Sequence, residues 1–360
     1  MKKTRTKLIM IVVCIFFVLV MQQGNKYCDQ KIVGKEGTYT VAFYANGGKG
    51  TMKPQVIKVS KKVSLKESTF YRKGYVFQGW ALSKNGKVKY KNKAKVQKLS
   101  TAGKKIKFYA KWEKAEKRRG IALVESSTAA VPILDAESTY AMMNNSTFYG
   151  KKMDKLVLYP NHTKKQIEKK MKTLFKDNTA RDISYIYMSC HGDTKGNIYI
   201  GSDDTYFSTS ELREFCDKNI QGTVVLMLDC CYAGMSIAST QNADFDFSEK
   251  FVTDFISKKA DNEKGLTTSK YKVICSSRKN ETSWGGEISL ATEYWNEGAG
   301  WLAISKVKCE LLADDNKDKK ITLKELHKYS NKKVLKENPN QHVTVYPKNS
   351  SFIMFGRFNY

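Results

Sequence analysis

Two kinds of hydrophobic spacing divide the chain. From about Thr38 to Lys114 apolar residues come in short alternating runs broken by glycine turns: Thr40-Val-Ala-Phe-Tyr44, then Asn46-Gly47-Gly48, and later Lys107-Phe-Tyr-Ala-Lys-Trp112. Alternation closed by Asn-Gly predicts short strands and hairpins with one buried face. The charged stretch Glu113 to Arg119 reads as a linker or helical spacer. Beyond it the apolar runs lose their alternation, at Ile121–Val124, Lys155–Tyr159, Ile183–Met188, Thr223–Leu228 and Tyr271–Cys275. Between them, apolar residues three or four apart predict helices around 136–146, 163–175, 208–218, 247–257 and 291–312. Strands that do not alternate are buried on both faces, so this part predicts an α/β domain with a mostly parallel sheet flanked by helices.

Length and composition leave that division standing: 360 residues, 41% hydrophobic, suit one mid-sized domain and a small one. Charge adds an environment. With 63 Lys and Arg against 35 Asp and Glu the net charge is +28, a field that favours anionic surroundings. The lysines are scattered singly, without the basic helix or aromatic interleaving of a base reader, which argues against nucleic acid. An anionic cell-wall polymer or a membrane surface is the expected non-substrate partner. The N-terminus runs from a basic Met1–Lys7 through an apolar Leu8–Met21 to a polar Gln22–Tyr27, the pattern of an export signal. The run is shorter than the roughly 20 residues of a membrane span, so residues 1–27 read as a signal peptide; an N-terminal anchor is the alternative, because no clear cleavage site follows. Expected localisation is extracellular or cell surface. Asn25-Lys26-Tyr27 before Cys28 excludes a lipobox. The eight cysteines form neither paired zinc motifs nor a dense disulfide framework, which leaves thiols free for chemistry.

In an open parallel sheet, reactive groups collect at the carboxyl ends of strands. Two strands here end in chemistry: Tyr187-Met-Ser-Cys-His191-Gly192-Asp193 and Leu226-Met-Leu-Asp229-Cys230-Cys231-Tyr-Ala-Gly234. If these strands are neighbours, His191 and Cys231 emerge side by side. A thiol becomes a strong nucleophile as thiolate, and a nearby imidazole can take its proton. A backbone N–H at Gly192 could stabilise the oxyanion of an acyl intermediate.

These residues resemble the clan CD cysteine peptidases, and most closely the metacaspase type of caspase-like family. Met-Ser-Cys-His191-Gly resembles the family's Ser-Gly-His-Gly block. Asp229-Cys-Cys231-Tyr-Ala-Gly234 resembles its Asp-x-Cys-His-Ser-Gly block, with Tyr232 and Ala233 departing from it; that register selects Cys231 over Cys230. The resemblance runs from about Arg119 to the C-terminus, where Val343–Pro347 and Ser351–Phe355 are similar to the family's final strands. It implies a caspase-like domain over 119–360 that hydrolyses peptide bonds through a thioester. It also implies a preference for Arg or Lys, with Asp229 and Asp135 lining an acidic S1 pocket and Ser276, Ser277 and Trp284 shaping its walls. Asp135 reads equally well as a helix N-cap. The segment 38–114, through Phe43–Gly48, Phe70–Trp80 and Phe108–Trp112, resembles the Listeria-Bacteroides repeat, a β-grasp-like module, with Trp80 and Trp112 expected in its core.

No cofactor is required by this chemistry. Calcium is considered for one loop, Asp314-Asp-Asn316-Lys-Asp318 through Glu325, whose oxygen donors follow EF-hand spacing, although Lys319 stands where the sharp turn needs glycine. The lysine-rich stretch Lys258–Lys270 is a candidate for self-cleavage. A protein or peptide is the expected substrate. Two other readings stay open: a catalytically silent caspase-like binding or adhesion protein, and a clan CD peptide ligase or transferase.

Overall fold

A computed structural model describes residues 37–125, 133–193, 197–231, 270–278, 280–347 and 349–359. The export signal, Gly234, the expected helix 247–257 and nearly all of the candidate cleavage stretch lie outside the described residues. The chain divides into two compact units, the first comprising residues up to Asn46, Gly50–Thr69 and Gln78–Lys111, the second Gly47–Lys49, Phe70–Phe77 and Trp112–Tyr360.

The N-terminal strands are β1 (Thr38–Tyr44), β2 (Gln55–Lys58), β3 (Val63–Ser64), β4 (Tyr75–Ala81), β5 (Lys95–Val96) and β6 (Lys105–Lys114). Four of them form a sheet in the order β2-β1-β6-β4, with β1 antiparallel to β2 and parallel to β6. Asn46 and Gly47 both adopt positive φ, which these two residue types tolerate. A sheet this small needs large side chains to exclude water. Trp80 and Phe108 are fully buried, and Phe43 tilts against the Trp80 ring at 4.8 Å. Trp112 is half-buried, edge-on to Phe77.

The second unit is built on a mostly parallel sheet. Its strands are β7 (Arg118–Val124), β8 (Lys155–Leu158), β9 (Ile183–Gly192), β10 (Asn197–Tyr199), β11 (Tyr206–Ser208), β12 (Thr223–Cys230), β13 (Tyr271–Cys275) and, after three minor strands, β17 (Thr344–Tyr346). Strands β8, β7, β9, β12 and β13 run parallel in that order, β17 closes one edge antiparallel, and β10 and β11 extend the tip of β9. The helices are α1 (Ile133–Asn145), α2 (Lys164–Phe175), α3 (Thr209–Asn219), α4 (Leu290–Gly298) and α5 (Leu323–Glu337). Alternate strand residues feed two cores. Ile121, Ile186, Met188, Leu226 and Leu228 meet Ile167 and Met171 of α2 and Leu212 of α3; Ala122, Tyr185, Tyr187, Val225 and Met227 meet Met142 of α1, Trp295 of α4 and Leu326 of α5. Four of the five apolar runs are thus in strands buried on both faces, and the fifth, β8, is a partly buried edge strand.

Three expectations are corrected. The charged stretch Glu113–Arg119 is no spacer: it completes β6 and opens β7, and Arg118 and Arg119 are buried. The Arg118 guanidinium donates to Glu116, to the Tyr185 hydroxyl and to the Ile353 carbonyl, and stacks on Phe148 at 3.9 Å. Charge alone could not tell a solvated lysine from an arginine whose planar fork finds partners inside. The helix expected over 291–312 stops at Gly298, because Gly300 turns to φ +92; β14 (Trp301–Leu302) and β15 (Val307–Lys308) follow as a hairpin. Of the two closing runs only β17 joins the main sheet, while β18 (Ile353–Gly356) pairs with β16 (Lys320–Thr322). Among the described residues no helix is long and apolar enough to cross a membrane.

Candidate active site

Strand pairing brings the two candidate tips together. In the parallel register of β9 and β12, Asp229 faces Ser189 and Cys230 faces Cys190, so His191 and Cys231 are the next residues out. Successive side chains of a strand point to opposite faces. Cys190 and Cys230 belong to the core under α2 and α3, so Ser189, His191, Asp229 and Cys231 share the other face, toward α1 and α4. There they border a cavity of about 210 Å³ together with Ser283, Trp284, Gly285, Gly286 and Ser289; Cys190 and Cys230 reach its rim from behind. Cys190 therefore sits beside His191 in sequence but across the sheet from it in space.

Cys231 is half-buried and its Sγ donates to the Ser283 carbonyl at 3.2 Å. Burial pushes its thiol above the ordinary range, so the resting sulfur is protonated and needs a base. The His191 backbone N–H donates to the buried Glu125 carboxylate at 2.6 Å, and the Asp193 N–H donates to the Asn197 carbonyl at 3.3 Å. Both point to the β10 side of the strand. Alternation then directs the intervening Gly192 N–H to the β12 side, where Cys231 lies. The hairpin holding this geometry is braced by Asp193, whose carboxylate accepts from Asn197 N and Nδ2 and from the Tyr199 hydroxyl.

Two carboxylates lie on the same face. Asp229 Oδ2 accepts from Thr292 N at 3.1 Å and Thr292 Oγ1 at 2.7 Å, and Oδ1 accepts from Ser283 Oγ at 2.6 Å. Asp135 is fully buried in the first turn of α1, which corrects the N-cap alternative. It stands behind the cavity wall: its oxygens accept from Ser189 Oγ at 2.6 Å and from Ser289 N and Oγ at 2.9 and 2.5 Å. Desolvation, then the nearby Asp229 charge, raises Asp135 to about 6. Burial raises Asp229 as well. Every partner of the pair is a hydroxyl or a backbone N–H; among the described residues no Lys or Arg forms an ion pair with either. Buried anions in such a place hold uncompensated negative charge.

The other wall residues divide. Trp284 borders the cavity and is 59% exposed. Ser276 and Ser277 are corrected: both are buried behind the cavity, with Ser276 Oγ accepting the Cys230 N–H at 3.2 Å and Ser277 Oγ donating to the Cys230 carbonyl at 3.4 Å. They brace β12. Buried Gln341 ties the neighbouring segment down, accepting from Trp284 N at 2.9 Å and donating to the Ser276 carbonyl at 3.0 Å and to Ser283 Oγ at 3.3 Å. A Cβ on Gly285 would lie 2.6 Å from Ser289 Cα, so only glycine lets this turn close against the start of α4.

The 314–325 loop is ordered by its own hydrogen bonds. Asp314 accepts from the N–H groups of Asp318 and Lys319, and Asp318 from that of Lys320. Glu325 Oε2 caps α5 through Thr322 N and Oγ1, and its Oε1 takes the Asn316 amide at 3.3 Å. These bonds shape the turn and the helix start and leave the carboxylates further lone pairs; among the described residues no three acidic, His or Cys side chains gather as a metal site.

Sequence reasoning missed Glu125, Ser283, Ser289, Thr292 and Gln341. Each stands outside an apolar run and acts through a partner distant in sequence; the only local signal was Ser-Trp-Gly-Gly before a helix.

Residues 39–111 match the family model of the Listeria-Bacteroides repeat domain. No curated protein matches the chain. Among solved structures, caspase-1 from Spodoptera frugiperda is similar at 11% identity and a TM-score of 0.43, covering 68% of this chain and 90% of that one. A protein from Geobacter sulfurreducens is similar at 13% identity and a TM-score of 0.40, covering 64% and 92%. Likeness this distant carries no functional argument, which rests on the cavity.

Proposed function

We propose that the chain is a cysteine endopeptidase that cleaves after Arg or Lys, working at a cell surface or outside the cell. The observation that carries this reading is the shared cavity, in which an imidazole and a thiol on adjacent strand tips sit beside a buried carboxylate backed by a second one. His191 takes the Cys231 proton, and the sulfur adds to the scissile carbonyl. The Gly192 N–H is aimed to receive the developing oxyanion. His191 then passes its proton to the leaving amine, and water hydrolyses the thioester with His191 as base. A guanidinium or ammonium at P1 supplies the charge that Asp229 and Asp135 lack, and an acidic P1 is repelled.

Fluorogenic substrates carrying Arg, Lys, Asp or Asn at P1 test the reading. Arg and Lys substrates are expected to turn over, Cys231→Ala and His191→Ala to lose about 10³-fold or more, and Cys230→Ala to remain active because its side chain faces the other core. Equal rates for wild type and Cys231→Ala would discard the proposal. Added amine nucleophile separates hydrolysis from transfer: a transferase would give the amide in place of the acid.

A further inference from the structure

Ser283 touches both halves of the proposed chemistry. Its carbonyl accepts the Cys231 S–H at 3.2 Å, and its hydroxyl donates to Asp229 Oδ1 at 2.6 Å. Asp229 Oδ2 is engaged from the α4 side by two groups of Thr292, so the carboxylate oxygen left to a ligand in the cavity is the one Ser283 occupies. Cys231, Asp229 and Ser283 all border that cavity. A proton held on a peptide carbonyl is not available to His191, so the sulfur as found is parked.

We infer that Ser283 is a substrate-released latch: a P1 cation that binds Asp229 displaces the Ser283 hydroxyl, and the movement of that residue frees the Cys231 thiol. The inference rests on the peptidase reading and adds to it that the basic side chain switches on the nucleophile as well as binding. Ser283 is a positioning residue, acting through Asp229 and Cys231. Gln341 Nε2, 3.3 Å from Ser283 Oγ, keeps the displaced hydroxyl within reach, so the latch resets after product leaves. No bond is made or broken in the switch beyond hydrogen bonds. A weak S–H···O contact sets its scale at roughly three- to fivefold in thiol availability.

The test is the rate at which iodoacetamide alkylates Cys231, followed by peptide mass in the full chain, with and without agmatine, whose binding is measured separately by calorimetry. Agmatine is expected to accelerate alkylation of wild type about three- to fivefold. Ser283→Ala is expected to alkylate at the fast rate without agmatine and to gain nothing from it, while Ser283→Thr, which keeps the hydroxyl, behaves as wild type. In turnover, Ser283→Ala narrows the kcat difference between Arg and Gln at P1 and changes KM less, a split that loss of packing alone would not produce. Agmatine that binds without changing the wild-type rate, or slows it, overturns the latch and leaves the acidic pocket standing. Absence of agmatine binding overturns both.

Discussion

Asp135 is buried and, among the described residues, has no ion-pair partner, so its charge costs the fold, and the direction of its effect can be worked out. Its folded value, about 6, lies above the ordinary 3.8. Well below the ordinary 3.8 folded and unfolded chains both carry the proton and the residue adds no penalty. As pH rises toward 6 the unfolded carboxyl ionises first, so stability falls through that window and the penalty is complete above it. Asp135→Asn removes the titration. Its melting temperature, measured by scanning fluorimetry relative to wild type, is expected to shift upward between pH 4 and pH 7, whatever constant offset the changed hydrogen bonds impose. A basic P1 residue reverses the balance by pairing with the ionised form, so kcat/KM for an Arg substrate is expected to fall as pH drops below about 6. A flat profile there would separate Asp135 from substrate binding. His191 and Cys231 were legible as neighbours because each comes three residues after an apolar run, with Gly192 or Asp229 close by in sequence. Ser283 was not, because its reach depends on a main-chain carbonyl and a turn that no spacing encodes.

At the level of elements, apolar runs gave the five parallel strands directly: burial on both faces leaves four of them little choice of residue, and the edge strand β8 keeps its run by packing partly buried side chains on both cores. Helix α5 was hidden by its own cap. Thr322 and Glu325 satisfy each other's backbone groups in a capping box, and the same oxygens, read as ligands, suggest calcium. Thr322→Ala is expected to lose about 1 kcal/mol, read as a lower melting temperature. Lys319 holds φ +64, a conformation that costs a side chain roughly 1 kcal/mol and glycine little. Lys319→Gly is therefore expected to raise the melting temperature, equally in EDTA and in calcium; a calcium-dependent gain would support the metal reading. Helix α4 was drawn too long because periodicity carries no sign of where a glycine turns left-handed. Glu113–Arg119 was misread for a different reason: the pattern shows charge, and only the fold shows that Glu116 and Phe148 wait for Arg118.

On the scale of the molecule, a net charge of +28 contrasts with a cavity bordered by Asp229, which among the described residues has no ion-pair partner. The long-range field favours anionic surfaces, whereas the proposed function has the cavity take a cationic side chain, so under that proposal surface attachment and substrate choice need not compete. Binding to vesicles of anionic lipid, or to an anionic wall polymer, is expected to fall sharply as ionic strength rises from about 0.05 to 0.5 M, where the screening length shrinks below the spacing of exposed charges. Cosedimentation checks this, and salt-insensitive binding would assign the charge to solubility alone. Arg118 reaches a further scale, that of time. Its guanidinium is satisfied by the carbonyl of Ile353, and the Tyr185 hydroxyl beside it by that of Met354, 235 and 169 positions further along the chain. Until they arrive, β7 and β9 would have to enclose a cation and a phenol with partners missing. The seam between β7 and β9 is therefore completed by contacts of long sequence separation, whose loop-closure entropy must be met before they form, which slows the closing of the sheet.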